Sequence, residues 1–129
     1  MKYLKLFEGT FDVSDYYTDL SNDEWIEFNH MDMTSENINI ISSLCNRKLR
    51  DVKVWDRSIL TYTHIVSDKV SDDIIYHETI NIYQYKEEDW FIIKYAINDW
   101  DNQINTVDLV KCDGIDGIKR FFKDRGLLK

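Results

Sequence analysis

The chain of 129 residues has no proline, four glycines and two cysteines. Two cysteines cannot build a disulfide framework, so we expect Cys45 and Cys112 to be reduced thiols of a cytoplasmic protein. No apolar run approaches the ~20 residues that span a bilayer, and the opening "MKYLKLFEGTF" lacks the apolar stretch and cleavage site of a signal peptide. We therefore expect a single cytoplasmic α+β domain over residues 1–129, without membrane contact.

With only four glycines, the chain has no glycine-rich phosphate-binding loop. Gly114 and Gly117 lie close together, but the Lys–Ser/Thr pair of that motif does not follow them. Cys112 precedes a predicted helix, whose dipole would lower the pKa of the thiol. Asp113 and Asp116 oppose that effect, and no histidine is fixed nearby in the sequence. We therefore predict a protein that is not an enzyme, with no catalytic residue and no cofactor.

Basic residues are missing from Leu6 to Asn46, where nine acidic residues lie. The whole chain has 24 acidic and 16 basic residues and a net charge of −8. This balance disfavours a phosphate-binding surface, so we expect no direct nucleic-acid binding. One interpretation is a solvated acidic face, and the other is an acidic surface that docks on a basic partner or imitates nucleic acid.

Hydrophobic periodicity and turn signals predict an α+β fold. The order is two N-terminal helices, a four-stranded antiparallel meander, and a C-terminal helix packed on one face of the sheet. "SNDEWIEF" starts the first helix with a capping box of Ser21 and Glu24, and Arg47 and Lys48 complement the dipole of the second. The second helix is predicted at 34–48, the strands at 52–66, 74–86, 90–97 and 104–112, and the last helix at 113–126.

Reflecting residues across each turn predicts the register of the meander. The first hairpin pairs Thr61 with Ile80, and the second pairs Ile80 with Tyr95. The third turn needs an odd loop or a bulge, since only that choice puts Val107 and Leu109 on the core face.

The same register predicts an aromatic and histidine-bearing surface on the opposite face. His64 and His77 are predicted cross-strand neighbours, but two imidazoles fall short of the three or four ligands of a metal site, so we expect no metal. The face is either covered by the aromatic N-terminal segment or open to a ring-bearing ligand such as a nucleotide or metabolite. The candidate ligand-binding residues are Tyr62, His64, His77, Tyr83, Tyr85 and Trp90.

The turn "NDWDNQ" carries a tryptophan between two aspartates. In a meander the first and third turns lie at the same end of the sheet, so this turn should neighbour "SDKVSDD". The spacing of the acids does not match a calcium loop. Tryptophan is a frequent hot spot of interfaces, and flanking carboxylates steer a basic surface toward it; the other possibility is that Trp100 packs on the sheet edge. The candidate partner-binding residues are Asp68, Asp72, Asp73, Asp99, Trp100 and Asp101.

The opening "KYLKLFEG" and the closing "EEDWFIIKY" and "VDLVKCDGIDGIKRFFKD" resemble small, acidic, mostly uncharacterised proteins of phages and other low-GC viruses. The resemblance implies a viral origin and a role in binding and disabling a host factor. We predict an inhibitor or adaptor that binds a host protein with a basic surface, such as an antagonist of a bacterial defence system. An immunity protein for a basic toxin and a small-molecule-binding protein are the alternatives, and the oligomeric state stays open.

Overall fold

The computed structural model describes residues 16–21, 30–67, 70, 74–85, 89–99 and 104–129. These residues form one antiparallel sheet of seven strands and two helices, in the strand order β1-β7-β6-β5-β4-β3, with β2 paired to the end of β5. The elements are β1 Tyr17–Asp19, β2 His30–Met31, α1 Ser35–Leu44, β3 Arg50–Val54, β4 Arg57–Ser67, β5 Ile74–Tyr85, β6 Trp90–Asp99, β7 Ile104–Asp113 and α2 Gly114–Asp124.

The prediction of a four-stranded meander behind two N-terminal helices is wrong. The strand predicted at 52–66 is two strands, β3 and β4, joined at Trp55 and Asp56. Both residues have positive φ angles, 56° and 64°, as a two-residue type I′ hairpin requires. Two further short strands, β1 and β2, join the sheet. The first predicted helix lies outside the described residues, apart from Ser21.

The two observed helices match the second and third predicted ones, with one difference in length. α1 begins after Thr34, whose hydroxyl accepts a hydrogen bond from the Asn37 amide at 3.2 Å. It ends at Leu44, because Cys45 already has an extended backbone, so Arg47 lies beyond the helix and does not complement its dipole. α2 ends shortly before Gly126, whose φ of 70° terminates the helical path.

Both helices cover one side of the sheet, called here the helix face. Its central contacts join Ile41 of α1 and Phe121 of α2 to the strands. Each large apolar side chain buried there contributes roughly 1.5–3 kcal/mol. The other fully buried side chains of this core include Leu60, Ile80, Ile82, Ile93, Val110, Cys112, Ile118, Phe122 and Leu127.

The predicted register of β4 and β5 is wrong over most of their length because the pair contains a bulge. The predicted offset holds at Ser67, which pairs with Ile74. Between Val66 and Ser67 the register shifts by one residue, so that Tyr62, and not Thr61, pairs with Ile80. Since side chains alternate between faces, this shift moves every β4 residue beyond the bulge to the other face.

The register of β5 and β6 is confirmed, with Ile80 opposite Tyr95. The odd loop predicted between β6 and β7 is wrong, because their pairing runs without a shift. Asp108 therefore lies opposite Tyr95 on the helix face, while Val107 and Leu109 lie on the opposite face. The carboxylate of Asp108 is accommodated there by Arg125, whose Nε lies 2.8 Å from its Oδ2.

Candidate functional site

Four strands, β4 to β7, begin or finish at the same end of the sheet, which is where the partner-binding residues were predicted. Ser67 pairs with Ile74, and Asp99 pairs with both Tyr76 and Ile104. Segments 68–73 and 100–103 therefore connect strands at the same end, as predicted for the first and third turns. We call these strand ends and the two segments the acidic end.

Of the predicted partner-binding residues, Asp99 is described. It is half-buried and lies on the helix face beside Tyr76. The other predicted residues of the acidic end lie outside the described residues: Asp68, Asp72, Asp73, Trp100 and Asp101.

The charge of the chain is divided unevenly between the described residues and the rest. The described residues include twelve of the 24 acidic and twelve of the 16 basic side chains, so they carry no net charge. The whole net charge of −8 belongs to the remaining residues, which include four of the aspartates of the acidic end. Segments 68–73 and 100–103 carry −3 of this charge, and residues 1–15, 22–29 and 86–88 carry the other −5.

The predicted ligand-binding surface is divided between the two faces of the sheet. His64 pairs with Glu78 on the helix face, whereas His77 pairs with Ile65 on the opposite face. The predicted cross-strand histidine pair is therefore wrong, because the bulge in β4 and β5 reverses the side on which His64 lies. Tyr62 shares the face of His64, and the residues that share the face of His77 are Tyr83, Tyr85 and Trp90.

These aromatic and histidine side chains form several local contacts. On the helix face the Tyr62 hydroxyl lies 3.3 Å from His64 Nδ1. On the opposite face the Asn98 amide nitrogen lies 3.1 Å from His77 Nε2.

The ammonium group of Lys111 lies on the same opposite face, 4.8 Å from the ring centre of Tyr85 and 4.5 Å from that of Trp90. These are cation–π distances. The two rings therefore pack against a side chain of the protein itself, and the six predicted residues do not converge on one ligand site.

Sequence reasoning missed a buried polar cluster on the helix face. Glu78 is 6% exposed, and its Oε1 accepts a hydrogen bond from Arg47 Nε at 2.8 Å. Its Oε2 accepts from the Tyr95 hydroxyl at 2.6 Å and from Arg47 Nη2 at 3.3 Å. The alternation Tyr76, Glu78, Ile80 already placed this glutamate among core residues, where it requires a basic partner.

The cluster favours an ionised glutamate. Burial raises the pKa of Glu78, but the hydrogen bonds from Arg47 and Tyr95 outweigh it, so that the pKa is lowered from its ordinary value. For Tyr95, burial and the hydrogen bond to Glu78 both raise the pKa. Both carboxylate oxygens are engaged, so the cluster fixes the segment after α1 on the sheet and is not poised to transfer a proton.

A cleft of about 500 Å³ opens at the other end of the sheet, beside the first turn of α2. Its polar lining is acidic, with Asp89, Asp113 and Asp116, and Asp113 makes no capping hydrogen bond with its side chain. Within the described ranges no three His, Cys, Asp or Glu side chains are grouped to hold a metal ion. The cleft is lined by Tyr16, Asn37, Asp89, Phe91, Asp113, Gly114, Ile115 and Asp116.

Neither cysteine is a nucleophile in this fold. Cys112 is 0% exposed, and burial raises the pKa of its thiol. Burial also raises the pKa of Cys45, which is 2% exposed. At neutral pH both groups are therefore protonated and inaccessible.

A second missed feature is the exposed tryptophan at the tip of the β3–β4 hairpin. Trp55 is 87% exposed and occupies a turn position that Asn or Gly fills at lower cost. The signal in the sequence was Asp56 in the tetrapeptide "VWDR", because aspartate tolerates the positive φ of such turns.

Comparison of the chain with protein-family models, with curated proteins and with solved structures gave no significant match. Neither helix of the described chain combines the length and apolar character that crossing a membrane requires.

Proposed function

We propose that the chain is a non-enzymatic protein that binds a partner protein with a basic surface, as an inhibitor or adaptor, through its acidic end. The observation that carries this proposal is the strand pairing, which joins Ser67, Ile74, Asp99 and Ile104 to one end of the sheet. The strand ends that lead into the two acidic segments of the sequence therefore lie at the same end of the sheet.

Charge would attract the partner, and burial of an apolar side chain would hold it. Carboxylates near the acidic end attract a basic surface over distances of roughly the Debye length, ~8 Å at physiological salt. Trp100 supplies the large apolar area that buried interface hot spots require. Binding of this kind weakens steeply as the salt concentration rises.

Two biological roles fit this mode of binding. One is a phage protein that disables a basic component of a bacterial defence system, and the other is an immunity protein that blocks a basic toxin. Both require the same acidic surface, so the chemistry of the captured partner distinguishes them. A neighbouring toxin gene supports the second role, and neighbouring phage structural genes support the first.

The test is capture of partners by the tagged full chain from a lysate of a low-GC bacterium, at low salt and at about 0.5 M salt, where the Debye length is ~4 Å. The variant combines Trp100→Ala with Asp99→Asn and Asp101→Asn. A control with two aspartates neutralised at the other end of the sheet, Asp89→Asn and Asp113→Asn, measures the effect of net charge alone.

We expect one basic partner that the wild type and the control retain at low salt and that the variant loses. Release of the same partner at high salt completes the expected result. Retention by the variant as well as by the control contradicts the proposal.

A further inference from the structure

The tip of the β3–β4 hairpin carries an apolar side chain that projects into solvent. Trp55 is 87% exposed, and its indole ring contacts no other ring or charged group within the described residues. It also lies at a φ of 56°, in a backbone region that bulky residues rarely adopt. Tryptophan is enriched among the residues that anchor protein interfaces, so this tip is a candidate contact.

The cleft beside the first turn of α2 can receive such a side chain. Its volume of about 500 Å³ falls within the range of ~300–1,000 Å³ that is typical of binding pockets. Phe91 and Ile115 contribute apolar lining. The carboxylates of Asp89, Asp113 and Asp116 accept no hydrogen bond and form no ion pair within the described chain. They are therefore available to the hydrogen-bond donors of a second molecule.

The hairpin carries donors that match these carboxylates. The indole N–H donates a hydrogen bond, and an ionised carboxylate only accepts. Lys53 stands two residues before Trp55, and its ion pair with Asp32 is 3.7 Å long, with the two side chains 63% and 61% exposed. A pair of this kind contributes little, so the ammonium group can turn to another carboxylate. Lys53 pairs with Ser58 on the helix face, which is also the face of the cleft.

The hairpin and the cleft lie at the same end of the sheet, away from the acidic end. The hairpin joins β3 to β4, whereas the cleft lies where β6 begins and β7 ends. β2 and β5 separate them, and Trp55 does not line the cleft of its own chain. A two-fold axis normal to the sheet places each hairpin at the cleft of a second copy and keeps Lys53 on the side of that cleft. Such a contact closes on itself and does not extend into a fibre.

We propose that the chain forms a symmetric dimer in which Trp55 of each copy inserts into the cleft of the other, with Lys53 facing the cleft carboxylates. This inference is independent of the proposed function, because both elements lie away from the acidic end. A tryptophan buries roughly 150–250 Å², so two such contacts stay below the ~1,200 Å² of a standard interface. We therefore expect a reversible dimer with a Kd of about 0.1 mM, and a monomer at micromolar concentrations.

Sedimentation equilibrium of the intact chain tests the dimer between about 0.01 and about 1 mM, a tenfold margin on either side of the expected Kd. Salt at about 0.15 M limits the repulsion between two chains of charge −8 to a Debye length of ~8 Å. We expect the average mass to rise from that of the monomer toward that of the dimer. A monomer at every concentration overturns the proposal.

Two variants compare the hairpin with another exposed apolar residue. Trp55→Asn removes the indole and keeps a residue type that tolerates positive φ, so we expect association about tenfold weaker than that of the wild type. Val107→Asn is the matched control, since Val107 is 50% exposed and lies on β7 toward the acidic end, and its Kd should not change. Thermal unfolding verifies that both variants are folded. Unchanged association of Trp55→Asn overturns the proposal.

A third variant tests the cleft. The Asp113 side chain makes no capping hydrogen bond, so Asp113→Asn combined with Asp116→Asn leaves α2 intact and should weaken association about tenfold. An equimolar mixture of this variant with Trp55→Asn restores one unaltered contact between an intact hairpin and an intact cleft. The mixture should therefore associate more tightly than either variant alone. If it does not, or if the cleft variant associates like the wild type, insertion into the cleft is overturned.

Asp56 provides a prediction of the opposite sign. It is the exposed acidic residue next to Trp55 in the turn, so in the dimer it lies close to the carboxylates of the cleft. Asp56→Asn removes this repulsion and should tighten association about threefold. Weaker association of Asp56→Asn would place the turn beside basic groups and overturn its assignment to the cleft.

Discussion

Arg47 and Glu78 are 31 positions apart in the sequence, and their side chains form an ion pair at 2.8 Å on the helix face. The glutamate side chain is 7% exposed and the arginine side chain 34%. The pair therefore ties the segment after α1 to the central strand β5, in a position where loss of one partner leaves the other without its countercharge.

The substitution Glu78→Gln should destabilise the fold by about 2–4 kcal/mol at neutral pH, since it breaks charge-assisted hydrogen bonds in a buried site. The effect should also depend on pH. A carboxylate with a lowered folded-state pKa stabilises the protein above its unfolded pKa, 4.5 here, and the stabilisation is lost as the pH falls through the folded value. Urea unfolding at about pH 7 and about pH 3 measures this difference, which should shrink at the lower pH.

The more exposed ion pair of Arg125 and Asp108 provides the control. Its side chains are 34% and 25% exposed, so Asp108→Asn should cost no more than about 1 kcal/mol. An equal loss of stability in both variants would show that the burial of Glu78 does not determine the strength of its pairing.

The close approach of β1 to α2 predicts that Gly117→Ala is strongly destabilising. A Cβ atom at this position would clash with the backbone oxygen of Tyr16, and that oxygen accepts a hydrogen bond from the backbone N–H of Asp113. We expect the free energy of unfolding, measured in urea, to fall by about 2–4 kcal/mol, which is within the range for overpacking combined with the loss of a backbone hydrogen bond. Gly126→Ala, where no atom lies within 4 Å but φ is 70°, should cost only about 1 kcal/mol.

Replacement of Trp55 and Asp56 by Asn and Gly should stabilise the protein. Both positions have positive φ, which costs roughly 1 kcal/mol for an ordinary residue and little for Asn-Gly in a type I′ turn. Because Trp55 is 87% exposed, little burial is lost. Differential scanning calorimetry should show a rise of about 5 °C in Tm, whereas a fall would mean that Trp55 stabilises the fold by contacts.

Thiol labelling should be limited by unfolding. Cys45 and Cys112 are buried, with pKa values raised by burial. An excess of an aromatic disulfide reagent should therefore modify neither cysteine in the folded protein and both in denaturant. Rapid modification of Cys112 without denaturant is the result that does not fit this structure.

The sequence was informative where one local signal determines an element. Apolar residues at helical spacing predicted both helices, namely Ile38 and Ile41 for α1 and Ile118 and Phe122 for α2. The pairing of Ile80 with Tyr95 followed from matching apolar runs on both sides of a short turn. These predictions required no knowledge of distant parts of the chain.

The failures arise where a single residue shifts the pattern. The extra residue at the bulge beside Val66 exchanges the faces of Tyr62 and His64, and periodicity does not reveal where a bulge lies. The turn at Trp55 contains no glycine or asparagine, so residues 52–66 were predicted to form one continuous strand. Asp108 was predicted to lie away from the helix face, because the sequence does not show that Arg125, which follows α2, forms an ion pair with it.

Hydrogen–deuterium exchange of the chain, alone and with the partner captured at low salt, tests the central claim most directly. If the acidic end binds this partner, protection should appear in peptides that span residues 62–74 and 97–105 and should fade as salt is added. Protection confined to α1, α2 and the cleft at the other end of the sheet, with no change in those two regions, would contradict the account.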